Sequence, residues 1–176
     1  EALMSVAIPE TPGSFKKFCN LLGTKSITEF NYRYADPKIA HVFVGVSIRN
    51  QEEANALIKE LRQSGLATED MSNNEMAKLH VRHLVGGHAH DVKNEILYRF
   101  EFPDRPGALM NFLNNMSHNW NISLFHYRNH GADYGRVLIG IQVPPEEKSD
   151  FKAFLNQLGY RYWEETKNPA YKLFLG

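Results

Sequence analysis

Residues 103–109 read Pro-Asp-Arg-Pro-Gly-Ala-Leu, and 94 positions earlier residues 9–15 read Pro-Glu-Thr-Pro-Gly-Ser-Phe. A single proline-glycine corner is an ordinary tight turn. Here the flanking sequence repeats with it. Phe18 and Asn20 return as Phe112 and Asn114; after a one-residue insertion, Ile27, Phe30, Tyr32 and Arg33 return as Ile122, Phe125, Tyr127 and Arg128. Val42 and Gly45 become Val137 and Gly140, Leu61, Gln63 and Gly65 become Leu155, Gln157 and Gly159, and Lys78-Leu79 becomes Lys172-Leu173. The chain is one unit written twice. Gly86-Gly87-His88-Ala89-His90-Asp91 is short, polar and glycine-bearing and reads as the linker. The expected domains are residues 1–85 and 95–176, joined by 86–94.

Each element can be checked against its copy. Leu3 to Ile8 and Ile96 to Phe102 alternate as strands, with Met4, Val6, Ile8 and Tyr98, Phe100, Phe102 facing in and Ser5, Arg99 and Glu101 facing out. Pro12-Gly13 and Pro106-Gly107 open helices, the proline placed near the first helical position. Phe15, Phe18, Cys19, Leu22 and Leu109, Phe112, Leu113, Met116 form stripes at i, i+3, i+4, i+7. Second and third strands are expected over 27–34 and 42–48 in one copy and 122–128 and 137–143 in the other. Second helices follow, on Ala54, Leu57, Ile58, Leu61 and on Phe151, Phe154, Leu155, Leu158, stopping at Gly65 and Gly159. A fourth strand spans 66–71 or 160–164, and an added strand spans 76–84 or 170–175. The order β-α-β-β-α-β, twice, is an α+β class of two tandem ferredoxin-like sandwiches, each with an added strand. Copies of some 80 residues have little core alone, so they are expected to pack side by side.

Composition narrows the function. The 176 residues carry 20 basic and 20 acidic side chains, a balance without the field that draws phosphates or anionic lipid. No nucleic-acid or membrane partner is expected. The lone cysteine cannot form an internal disulfide, which suits a reducing, cytoplasmic location. No apolar run nears the roughly 20 residues of a membrane span. Glu1-Ala2-Leu3-Met4-Ser5 lacks the basic and apolar segments of a signal peptide, and without a leading methionine it suggests a piece of a longer chain.

Catalytic signatures are absent: there is no nucleophile elbow, phosphate loop or dinucleotide fingerprint. Cys19 sits where its twin is Leu113 and reads as core. His80, His83, His88 and His90 are close in sequence, but two fall on opposite faces of the expected added strand and two in the linker, a poor metal set. An RNA-recognition reading shares the element order, and Gly135-Arg136-Val137-Leu138-Ile139 begins like its third-strand signature. Leu138, Gly140 and Phe43 do not complete the aromatic face that it needs. A module acting only in assembly is the other alternative.

The doubled corner remains. Glycine permits close approach, and the N–H groups at a helix start carry partial positive charge able to hold a carboxylate. Acidic Glu10 and Asp104 precede the corners, so a free amino acid could place its carboxylate near Gly107 to Leu109 and its ammonium near Asp104.

These residues resemble the ACT family of regulatory amino-acid-binding domains, whose corner reads Asp-x-Pro-Gly before an apolar helix, as in Asp104-Arg105-Pro106-Gly107-Ala108-Leu109. The repeat pair, Phe125-His126-Tyr127-Arg128, Arg82-His83-Leu84-Val85-Gly86-Gly87 and the ending Asn168-Pro169-Ala170-Tyr171-Lys172-Leu173-Phe174 are similar to the C-terminal regulatory region of biosynthetic threonine dehydratases. The resemblance covers the whole chain. It implies an allosteric module, with isoleucine inhibiting and valine opposing, attached to a pyridoxal-phosphate lyase whose catalytic part, cofactor and lysine lie outside this chain. It also implies a homo-oligomer, a tetramer in the family. Effector contacts are expected from Asp104, Pro106, Gly107, Ala108, Leu109 and Tyr127 in the second copy and from Glu10, Pro12, Gly13, Ser14 and Phe15 in the first. Glu10-Thr11 departs from the acidic-basic pair, so the first pocket is expected to be altered or to take a different ligand.

Overall fold

Alternation in the first strand of each repeat decides which side of the sheet becomes core. In β1 (Ala2–Pro9), Met4, Val6 and Ile8 are buried, as are Tyr98, Phe100 and Phe102 in β5 (Glu95–Pro103). The computed structural model describes residues 1–84, 86–117, 119–129 and 133–176. Val85, where the first expected domain ends, lies outside the described residues.

The first repeat continues through α1 (Ser14–Leu22), β2 (Ile27–Arg33), β3 (Ile39–Val46), α2 (Gln51–Gln63) and β4 (Thr68–Asp70), then α3 (Glu75–Leu79) and a 3-10 turn at Val81–His83. The second runs β5, α4 (Ala108–Asn115), β6 (Asn121–Arg128), β7 (Tyr134–Gln142), a 3-10 turn at Pro145–Glu147, α5 (Lys148–Leu158), β8 (Arg161–Glu164) and α6 (Pro169–Phe174). Two tandem ferredoxin-like sandwiches are thus present, lying side by side.

All eight strands form one sheet in the order β4-β1-β3-β2-β6-β7-β5-β8. The repeats meet through antiparallel pairing of β2 with β6: Phe30 faces Tyr127, Asn31 faces His126, and Tyr32 faces Phe125. Phe30 and Phe125 are repeat equivalents, as are Tyr32 and Tyr127, so the seam has an approximate two-fold axis at the Asn31–His126 pair. One apolar core, drawn from the stripes of α1, α2, α4 and α5 and one face of the sheet, runs across the seam. Phe15 of α1 stacks on Phe125 of β6 at a centroid distance of 5.6 Å, an offset aromatic contact of the kind that adds to simple area burial.

The added strands are not strands. Residues 75–79 and 169–174 are helical. Asn74 accepts from the Ala77 N–H (3.0 Å) and Asn168 from the Ala170 N–H (2.8 Å), while Pro169 takes the first helical position. Those side-chain caps outweigh the apolar spacing that suggested strands. His83 consequently lies in a 3-10 turn, its Nδ1 2.6 Å from Arg128 Nη1, and not on one side of a strand. The two prolines lie just outside the helices: Gly13 and Gly107 are the N-caps, and Pro12 and Pro106 stand two residues before the first helical positions, Ser14 and Ala108.

On the face opposite the core, Leu3, Phe43 and Ala77 form a small cluster beneath α3. In the second repeat Tyr171 stands where the first has Ala77. Its hydroxyl donates to Glu95 Oε1 (2.6 Å), whose other oxygen accepts from Ser123 and from Arg33 Nη1 (2.6 Å). Arg33 Nη2 also donates to the Leu175 carbonyl (2.5 Å). A β2 residue of the first repeat therefore holds the C-terminal segment of the second.

Candidate functional site

Both corners are built by the same backbone device. Gly13 (φ +88°) and Gly107 (φ +85°) adopt the left-handed region that L side chains avoid, which turns the end of β1 or β5 sharply into α1 or α4. The Ser14 N–H donates to the Thr11 carbonyl (3.2 Å) and the Ala108 N–H to the Arg105 carbonyl (3.3 Å). Ala108 therefore spends its N–H within the turn and is not the free donor expected. The N–H groups of Leu109 and Met110 have no protein acceptor among the described residues, and they point the positive end of α4 outward. Asn111 Nδ2 donates to the Tyr160 hydroxyl (3.1 Å), which donates to the Ala108 carbonyl (2.9 Å), fixing this first turn from β8's approach.

Beside the second corner lies a cavity of about 420 Å³. Asp104, Pro106, Gly107, Ala108, Leu109 and Tyr127 all border it, so the structure brings the second expected set together. Its far wall comes from the first repeat, from Cys19 and the Gly23–Ile27 loop. Those residues escaped the motif reading, because they reach the corner only through β2–β6 pairing. Asp104 is exposed; its N–H donates to the Asp133 carbonyl (3.0 Å), and Oδ1 accepts from Asn129 Nδ2 (3.2 Å). Burial, then the neighbouring Asp104 charge, raises the Tyr127 phenol above its ordinary value, so it remains a neutral hydroxyl at neutral pH.

The first corner faces the second repeat in the same way, but the space is about 100 Å³. Gly13 and Phe15 line it, with Leu113, Trp120 and Ile122 opposite. Pro12 is exposed, and Ser14 is buried with its hydroxyl 2.9 Å from the Thr11 hydroxyl. Glu10 is drawn against the second repeat, where its Oε2 accepts from Asn121 Nδ2 (3.3 Å) and Oε1 has no hydrogen-bond partner among the described residues. Burial pushes its carboxyl up to about 7; the Asn121 bond opposes this and the Asp36 charge adds to it.

Elsewhere, Cys19 is buried in the core, and that burial raises its thiol to about 12, leaving it an unreactive apolar group at neutral pH. His88 places its ring nitrogens 2.6 Å from the Gly176 carbonyl and 3.1 Å from that of Leu173. Among the described residues, no three His, Cys, Asp or Glu side chains group as a metal would need, and no helix is long and apolar enough to cross a membrane.

A family model described as the C-terminal regulatory domain of threonine dehydratase matches residues 1–81 and 86–175. The chain is 53% identical over 175 residues to "L-threonine dehydratase biosynthetic IlvA" of Burkholderia multivorans and 54% identical over 176 residues to the protein of the same name in Escherichia coli. Each alignment takes in 99% of this chain and 34% of the relative. "Threonine dehydratase, mitochondrial" of Saccharomyces cerevisiae is 46% identical over 185 residues, covering 99% and 32%. The chain thus spans about a third of the length of these relatives. A solved structure of a putative glycine cleavage system transcriptional repressor aligns over 93% of this chain and 94% of its own, at 12% identity and a TM-score of 0.34, too loosely to carry an argument.

Proposed function

This chain belongs to the family of threonine dehydratase C-terminal regulatory domains, and from that premise we propose that it senses a branched-chain amino acid at its second corner. The observation that carries this reading is the cavity of about 420 Å³ between Asp104–Met110 and the Cys19–Ile27 segment of the other repeat. The ligand carboxylate takes the N–H groups of Leu109 and Met110, and its ammonium takes Asp104. Its aliphatic side chain lies against Leu109, Ile27 and Tyr127. Isoleucine exceeds valine by one methylene, worth about 1–3 kcal/mol in such a pocket; the two share the site and differ in which packing of the repeats they favour, isoleucine inhibiting and valine opposing. Glu10, Pro12, Gly13, Ser14 and Phe15 form the corresponding first corner.

In this reading residues 1–85 and 95–176 are the two ACT-like domains, with 86–94 as their linker. The cavity has a wall from each repeat, so its occupant alters how the repeats pack and, through them, a covalently linked catalytic part in a cytoplasmic homo-oligomer. The pyridoxal phosphate and the deamination of threonine to 2-oxobutanoate belong to that part. Linkage requires a catalytic-site ligand and isoleucine to change each other's binding equally.

Isothermal calorimetry on this chain and on the intact enzyme tests the proposal. Expected is saturable isoleucine heat that valine displaces and that Asp104→Asn weakens. No isoleucine heat in either protein, or equal heat with unrelated amino acids, overturns it. A second reading, an assembly surface, is favoured by Met76, Leu79, Leu173 and Phe174, which are 60–68% exposed. Light scattering with and without isoleucine separates the two.

A further inference from the structure

We propose that the two corners are one site in duplicate, that Phe15 plugs the first copy with its own ring, and that each chain therefore binds a single effector molecule, at the second corner. The inference rests on the reading of the second corner as an amino-acid site and adds its stoichiometry and the residue that sets it.

The two cavities are lined by equivalent positions. Phe15, Leu113 and Ile122 at the first stand where Leu109, Cys19 and Ile27 stand at the second. At two of these three pairs the first corner carries the larger side chain. The volume responds accordingly: about 100 Å³ remains at the first against about 420 Å³ at the second. On this proposal the smaller space, about a quarter of the larger, holds water and no branched amino acid.

Phe15 accounts for the closure in geometric terms. Its ring is buried, 5.2 Å from Tyr32 and 5.6 Å from Phe125 between centroids. It therefore covers Tyr32 and reaches over the seam onto the other repeat. Leu109 is only partly buried and leaves the equivalent aromatic, Tyr127, facing the cavity. The polar partners differ in the same sense. Asp104 borders its cavity, whereas Glu10 is drawn in against Asn121.

The decisive measurement is isoleucine titration of the intact enzyme by calorimetry, with stoichiometry as the readout. Wild type is expected to bind one isoleucine per chain, and Phe15→Ala two. Leu109→Phe, which copies the first corner into the second, is expected to bind none while keeping its circular dichroism and thermal transition. Should Phe15→Ala fail to fold, Phe15→Leu, the residue that the second corner uses, decides: a second, weaker binding event supports the plug. Two molecules per wild-type chain overturn it. So does a folded Phe15 variant that still binds one, or a folded Leu109→Phe protein that binds normally. Zero binding by wild type instead removes the underlying reading of the second corner.

Discussion

The first corner has filled its own cavity, whereas the second has kept it open, although glycines at φ +88° and +85° give the two an almost identical turn. Backbone alone therefore does not make a site. The difference lies in a few side chains around the turn: Phe15 against Leu109, Leu113 against Cys19, and a carboxyl drawn in at Glu10 against an exposed one at Asp104. Filling a cavity exchanges binding capacity for packing. The corner that gained an aromatic cluster is the one with the least space.

That exchange makes the comparison breakable by measurement. The largest effect is expected at Phe15. Its truncation to alanine should cost about 3–5 kcal/mol, as for a buried aromatic that leaves a void, against about 1 kcal/mol for Leu109→Ala at its partly exposed twin. Urea denaturation of the two variants reads this, and equal losses would mean that the corners are packed alike. Next, Gly13→Ala and Gly107→Ala should each cost about 1 kcal/mol, because only the left-handed backbone resists a side chain and nothing lies within 4 Å of either added Cβ. Unequal melting losses would show that the two turns differ after all.

The last effect, seen only as pH changes, concerns Glu10. Between the ordinary carboxyl value of 4.5 and about 7, the unfolded chain releases this proton before the folded chain does. The unfolded state then holds fewer protons, so stability falls as pH rises through that window. Glu10→Gln should remove that part of the slope. An unchanged slope in thermal melts from pH 4.5 to 7 would mean that Glu10 ionises as freely as an exposed carboxyl.

Much of this was legible because every element is written twice. The stripes of α1, α2 and α5 and the inward residues of β1 and β5 follow directly from spacing and are buried. The end of each repeat misled, since the runs over 76–84 and 170–175 hold too few apolar residues to show a period. Periodicity over so short a run does not separate helix from strand. The decisive signals there were Asn74 and the Asn168-Pro169 pair, which cap and start helices. At the site, the corner was visible as a motif but its opposite wall was not. Cys19 and the Gly23–Ile27 loop meet Leu109 only after β2 pairs with β6, a long-range event that leaves no local pattern.

The seam itself has a consequence for how this molecule changes over generations. Two identical chains meeting at a two-fold axis must carry every substitution twice and must find each other by mass action. With both halves on one chain, the β2–β6 pairing is intramolecular, so it forms at an effective concentration set by the linker whatever the protein's abundance. Each half is then free to mutate on its own, so one corner can close around a phenylalanine while the other keeps its opening.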